Sequence, residues 1–164
     1  MRLYHELAEH YFSIESNHRE LEDDISFIRS ILHGRRNPAI LDLGCGTGEH
    51  LDRLTRYGIR CTGIDSSGDM LNTARNRCSN QIVFIAADMR NIDFYEEFDL
   101  VSCLFGSFDY MLRDEDVDRV LWNTWRALKP DGTGLFEVWN SAPVQRIGEK
   151  PLSRVSTTQN GSIT

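Results

Sequence analysis

The chain has 164 residues, 40% of them apolar and 26% charged, which makes one domain able to close a core and too apolar overall for a disordered chain. Eighteen Lys and Arg against twenty-five Asp and Glu leave a formal charge of −7, and a field of that sign repels phosphate backbones and anionic headgroups, so nonspecific nucleic-acid binding is disfavoured. The longest apolar stretches, around 100–105 and 135–139, fall far short of the roughly 20 residues that span a bilayer. The opening MRLYHELAEHYFSIES carries acids and histidines where a secretory leader is apolar. A cytoplasmic protein with no membrane segment is therefore expected. Cys45, Cys61, Cys78 and Cys103 show no C-x-x-C spacing and no paired histidine motif, and read as reduced thiols with no metal site.

In chain order, Leu3, Leu7, Tyr11 and Ile14, then Leu21, Ile25, Ile28 and Leu32, recur at spacings of three and four and predict two amphipathic helices. Gly34 and Pro38 end the second. The period then changes. Residues 39–43, 60–64, 82–86, 100–104 and 135–139 are short runs rich in Ile, Val, Leu and Phe, as strands buried on both faces are. Helical segments are expected at 48–57, 67–78 and 114–128. Alternating strand and helix predicts an α/β fold: a Rossmann-like parallel sheet of about five strands with helices on both faces. Three parts are expected: N-terminal helices over 1–37 as a lid or cap, a Rossmann-like ligand-binding domain over 38–140, and a polar tail over 141–164. A sheet ending at its fifth strand exposes an edge that invites pairing, so a dimer through that edge is an expected partner arrangement.

The most informative segment is Ile40-Leu-Asp-Leu-Gly-Cys-Gly-Thr-Gly-Glu-His50, where an apolar strand runs into three glycines and a helix. Gly44, Gly46 and Gly48 let a ligand approach the backbone, and in a parallel sheet ligands bind at the C-terminal strand ends where this turn lies. The dinucleotide fingerprint G-x-G-x-x-G needs a glycine where Glu49 stands, and a pyrophosphate beside Asp42 and Glu49 would be repelled; no G-x-x-x-x-G-K-[ST] occurs. A cationic ligand suits the acids better. The second strand ends at Asp65, an acid able to accept both hydroxyls of a ribose, and the third delivers Asp88 and Met89 to the same sheet edge. An Asp at such a place can also serve as a simple helix N-cap or turn residue.

With LDLGCGTGEH, CTGID, VFIAADM, the EFDLV strand and ALKPDGTGLF, the chain resembles the class I S-adenosylmethionine-dependent methyltransferases over about residues 3–140. It is most similar to the small-molecule branch that includes the sugar N-methyltransferases, through the paired N-terminal helices, the G-T-G-E-H-L turn and the D-M-R after strand three. The resemblance implies S-adenosylmethionine as cofactor and a small-molecule N or O acceptor as substrate. It implies cofactor contacts from Tyr11, Asp42, Gly44, Cys45, Gly46, Asp65, Asp88, Met89 and Leu104, with Asp88 receiving the adenine amino group, Leu104 and Phe105 lining the cofactor and Tyr11 closing over it as a lid. Asp65→Ala is expected to weaken the ligand while barely lowering ligand-free stability. No catalytic base is assigned: His10, Tyr11 and His50 are candidates, but a lone histidine on an amphipathic helix is more often solvated or structural. Arg19 could pair with the cofactor carboxylate, though surface solvation is its commoner fate. The lack of N-P-P-[FYW] after strand four argues against nucleobase or glutamine nitrogens as acceptors. The family continues past strand five with a helix and an antiparallel strand pair, so a C-terminally incomplete domain is expected. Two alternatives stand beside this reading: a cofactor-binding fragment or interaction module without turnover, and an NAD(P)-dependent oxidoreductase sharing the strand–glycine–helix signal.

Overall fold

A computed structural model describes residues 21–139 and two short segments, 156–158 and 161–163. Tyr11, His10 and Arg19 lie outside the described residues. The elements run α1 (Leu21–Ile31), β1 (Ala39–Leu43), α2 (Glu49–Thr55), β2 (Arg60–Asp65), α3 (Gly68–Arg77), β3 (Val83–Ala86), a 3-10 turn (Met89–Asn91), β4 (Phe98–Cys103), a second 3-10 turn (Ser107–Tyr110), α4 (Asp114–Ala127) and β5 (Leu128–Phe136). A small antiparallel pair, β6 (Ser156–Thr158) and β7 (Gly161–Ile163), forms a separate sheet within the region expected to be a tail.

The main sheet has the order β3-β2-β1-β4-β5 with every pair parallel, which is the expected α/β class. β1 lies at its centre, all five residues buried, because apolar side chains on both pleat faces each meet a helical layer. Ile40 joins one core with Ile25, Ile28 and Leu32 of the α1 region and Leu51 and Leu54 of α2. Ala39, Leu41 and Leu43 join the opposite core with Val101, Val120 and Ala127, under α4. The chain reverses from β1 to β2 on one side and to β4 on the other, so the crevice between the β1 and β4 ends is the topological switch point.

β5 begins at Leu128, seven residues before the expected start. Phe98 pairs with Leu128, the ladder skips, and Leu100 pairs with Thr133. Asp131, at φ 64, turns the intervening K-P-D-G segment outward. The segment is pinned from below: Lys129 Nζ lies 2.7 Å from Asp99 Oδ2, Arg35 Nη1 lies 3.3 Å from Asp99 Oδ1, and Arg35 also donates to the Asp131 carbonyl. The backbone N–H of Ala39 completes this knot with a 2.8 Å bond to Asp99 Oδ2. Burial pushes the Asp99 carboxyl up, but the bonds from Lys129, Ala39 and Arg35 together hold it below its usual value.

Candidate functional site

The C-terminal ends of β1, β2, β3 and β4 open into one cavity of about 400 Å³, a size suited to a nucleoside-type ligand. Its floor is the turn after β1. Gly44 sits at φ +73, where a Cβ atom would come within 2.7 Å of Ser107 Oγ, and Gly46 follows at φ 56. Only glycine holds that path while leaving room for Ser107. The Gly44 and Cys45 amides both donate to the Ile64 carbonyl at 2.9 Å, pulling the turn against the end of β2.

Asp65 is the hinge of the site. Its Oδ2 accepts the Gly46 amide at 2.9 Å and its Oδ1 accepts the Ser67 amide at 2.8 Å, so one carboxylate ties the glycine turn to the start of α3. Ser67 caps that helix, its hydroxyl accepting from the Met70 amide. Each carboxylate oxygen carries a second lone pair, and Asp65 lines the cavity, so two acceptor positions are available to a vicinal diol. The same two amide bonds make Asp65 a structural tie as well, which corrects the expectation that its loss would barely affect ligand-free stability.

Asp88 and Met89 line the opposite wall with Arg90. Asp88 caps the 3-10 turn by accepting the Arg90 amide at 2.9 Å, so the N-cap role and a place on the cavity wall coexist in one residue. The Arg90 side chain beside it, with Nη2 2.5 Å from Oδ2, holds the Asp88 carboxyl below the usual carboxylate range.

Asp42 lies beneath the wall, 5% exposed, and accepts a 2.6 Å bond from Ser102 Oγ on β4. Burial pushes its carboxyl up to about 6, against the opposing pull of His50 and the Ser102 bond. Cys45 and Leu104 face the core, and it is Phe105 that lines the cavity. Phe105 has φ 55, a left-handed conformation unusual for a bulky residue. Its amide donates to Glu137 Oε2 at 3.1 Å, and its ring meets His50 edge-on at 5.5 Å between centroids. His50 Nε2 in turn lies 3.2 Å from Asp24 Oδ2 of α1, a structural pairing that joins the helices.

Of the residues singled out in the sequence, Gly44, Gly46, Asp65, Asp88, Met89 and Phe105 line this cavity, whereas Asp42, Cys45 and Leu104 do not. Sequence reasoning missed Ser66, Ser67, Met70, Ala87, Arg90, Ser107, Tyr110 and Met111. The available signal was position: most of them stand within a few residues after a strand end. Burial raises the thiols of Cys61 and Cys78 to about 12 and those of Cys45 and Cys103 well above their usual range, consistent with free, protonated cysteines. Among the described residues no cluster of His, Cys, Asp or Glu could hold a metal ion, and no helix is long and apolar enough to cross a membrane.

Glycine turn, strand-end acids and sheet order together define a parallel α/β domain with a polar cavity at its strand ends. The chain belongs to the methyltransferase domain family, whose profile matches residues 40–132, more than half of its length. It is 32% identical over 128 residues to the dTDP-4-amino-2,3,4,6-tetradeoxy-D-glucose N,N-dimethyltransferase of Saccharopolyspora spinosa, covering 72% of this chain and 51% of that protein. It is 31% identical over 122 residues to the dTDP-3-amino-3,6-dideoxy-alpha-D-glucopyranose N,N-dimethyltransferase of Streptomyces fradiae, covering 74% and 47%. Among solved structures, the sugar N-methyltransferase KedS8 from Streptoalloteichus superposes with a TM-score of 0.69 at 26% identity, over 84% of this chain and 54% of that one. CalS10, an amino pentose methyltransferase from Micromonospora echinaspora solved with S-adenosylmethionine bound, gives 0.67 at 27% identity, over 75% and 52%. The chain spans about half the length of these relatives.

Proposed function

We propose that the cavity binds S-adenosylmethionine and that the protein transfers its methyl group to a small-molecule acceptor, with an amine of an amino sugar as the favoured class and a hydroxyl as the alternative. The observation that carries this reading is the Asp65 carboxylate, fixed by the Gly46 and Ser67 amides with its remaining acceptor positions at a cavity of fitting size. When bound, the cofactor supplies a methyl on a cationic sulfur, already activated for attack by a nucleophile. In this reading Asp65 receives the ribose hydroxyls, Asp88 and Met89 the adenine, and the Gly44–Cys45–Gly46 backbone with Asp42 beneath it the charged amino-acid end. Leu104 backs Phe105, and Tyr11 closes over the ligand from the 1–37 segment onto the 38–140 domain. Asp65 on the wall and the buried Asp42 beneath the glycine turn favour a cation over a pyrophosphate, and Glu49 stands where the dinucleotide fingerprint needs a glycine, which sets this reading above a dinucleotide one. Catalysis then depends on alignment and exclusion of water more than on a strong base.

Calorimetric titration with S-adenosylhomocysteine tests it: no heat at millimolar ligand with a folded chain refutes the assignment, and tighter binding of NADH refutes it in favour of the oxidoreductase. The similarity to amino-sugar enzymes supports the acceptor class, measured as S-adenosylhomocysteine formation over a panel of amines and alcohols. Among the described strands β5 pairs only with β4, and its outer edge favours a second reading for the 164-residue chain taken alone: cofactor binding with weak turnover, or pairing of two chains through that edge. Efficient turnover refutes the first, and a monomer by light scattering at high concentration refutes the second. A cytoplasmic location and indifference to nucleic acid complete the proposal, the latter checked by a DNA mobility shift at low salt.

A further inference from the structure

Helix α4 grips the turn after β3 at two points. In its first turn Asp116 Oδ2 lies 3.3 Å from Arg90 Nη1. Two turns further on Asn123, 9% exposed, donates its Nδ2 to the Arg90 carbonyl at 2.9 Å and to the Met89 carbonyl at 3.3 Å. The rest of the Arg90 guanidinium is committed to Asp88: Nε lies 3.0 and 3.1 Å from its two oxygens, and Nη2 lies 2.5 Å from Oδ2. Every guanidinium nitrogen is therefore directed at a carboxylate.

Asp88 and Arg90 both line the cavity, and their hydrogen-bonding characters are opposite. An ionised carboxylate only accepts, so it favours an exocyclic amino group and repels a carbonyl. A guanidinium only donates, so it has the reverse preference. Which of the two meets the edge of a purine depends on where Arg90 is held. Asp116 draws Nη1 toward α4, and Asn123 fixes the backbone from which the Arg90 side chain springs.

We propose that Asp116 and Asn123 are positioning residues that set the cavity's preference for a 6-aminopurine over a 6-oxopurine, by keeping Arg90 engaged with acids and away from the base. The inference rests on the S-adenosylmethionine reading above. It is tested by titrating the 164-residue chain with S-adenosylhomocysteine and with its inosine analogue, S-inosylhomocysteine. The wild-type chain should bind the adenosine ligand at least tenfold more tightly. Asp116→Asn and Asn123→Ala should each narrow that ratio severalfold, because Nη1, no longer drawn to α4 or held by a fixed backbone, can turn to donate to the 6-oxo group while Nε and Nη2 stay on Asp88. In an Arg90→Met background the Asp116→Asn change should leave the ratio unmoved. An equal loss for both ligands in the single variants would mark these residues as structural only and overturn the inference. Should Asn123→Ala fail to fold, the partly exposed and isosteric Asp116→Asn carries the test. Wild-type chain that binds both ligands equally refutes this inference alone, whereas a chain that binds neither refutes the cofactor reading with it.

Discussion

Asp42→Asn should make the ligand-free protein more stable while making it a poorer binder. The buried Asp42 carboxyl titrates at about 6 in the fold, against an ordinary value of 3.8. Between those values the folded state holds the proton that the unfolded state has released, so this group's contribution to stability falls as pH rises through that window and stays low above it. A difference of about two pH units corresponds to roughly 3 kcal/mol at pH 7.5, most of it absent at pH 4. Asparagine keeps the shape and an acceptor for the Ser102 hydroxyl while removing the charge. One amide N–H left without a partner costs back about 1 kcal/mol. Urea unfolding of both proteins at pH 4 and pH 7.5 should therefore show the variant gaining about 2–3 kcal/mol on the wild type between the two conditions. In the same variant S-adenosylhomocysteine should bind about tenfold more weakly, because the fixed negative charge under the amino-acid end is gone. Binding to the wild type should also release a fraction of a proton near pH 6, seen as a buffer-dependent calorimetric enthalpy. If the stability gap between the two proteins is the same at both pH values, Asp42 does not carry a buried charge and the argument fails.

Asp65→Ala should weaken S-adenosylhomocysteine by about 1.5–3 kcal/mol and also lower ligand-free stability by about 1–3 kcal/mol, since the Gly46 and Ser67 amides lose their shared acceptor; calorimetry and urea melts read the two effects separately. Gly44→Ala, which sets a methyl group against Ser107 at a left-handed position, should lower stability by about 1–2 kcal/mol and remove ligand binding; a fully binding variant would show that the turn relaxes freely. Asp99→Ala leaves Lys129, Arg35 and the Ala39 amide without their common partner and should cost about 3 kcal/mol in chemical denaturation. Because the Asp99 carboxyl titrates below its usual value in the fold, its stabilisation is present at neutral pH and is lost as pH falls below about 4 and through the folded value; a wild type and Asp99→Ala pair that differ equally at pH 7 and pH 2.5 would contradict this.

Much of this protein was legible in the linear sequence. Runs of apolar residues placed β1 at its observed bounds and β2 to within one residue, and alternation with helical segments dictated a parallel sheet, because a buried strand and an amphipathic helix write different periods. LGCGTG marked the glycine turn that floors the cavity, and an acid at or just past the end of each of the next two strands marked its polar walls at the sheet edge. What only the tertiary structure decided are contacts between residues distant in the chain. Phe105 reaches Glu137, Asp42 meets Ser102, and Arg90 is held by Asp116 and Asn123 from a helix three elements later. The early start of β5 belongs here too, since it follows from the hold of Asp99 on Lys129 and of Arg35 on the Asp131 carbonyl rather than from local composition. Periodicity reports only whether a side chain faces a core. Which partner it meets there is set by strand order and register, with β1 seated between β2 and β4 so that Asp42 stands level with Gly63 on one side and Ser102 on the other.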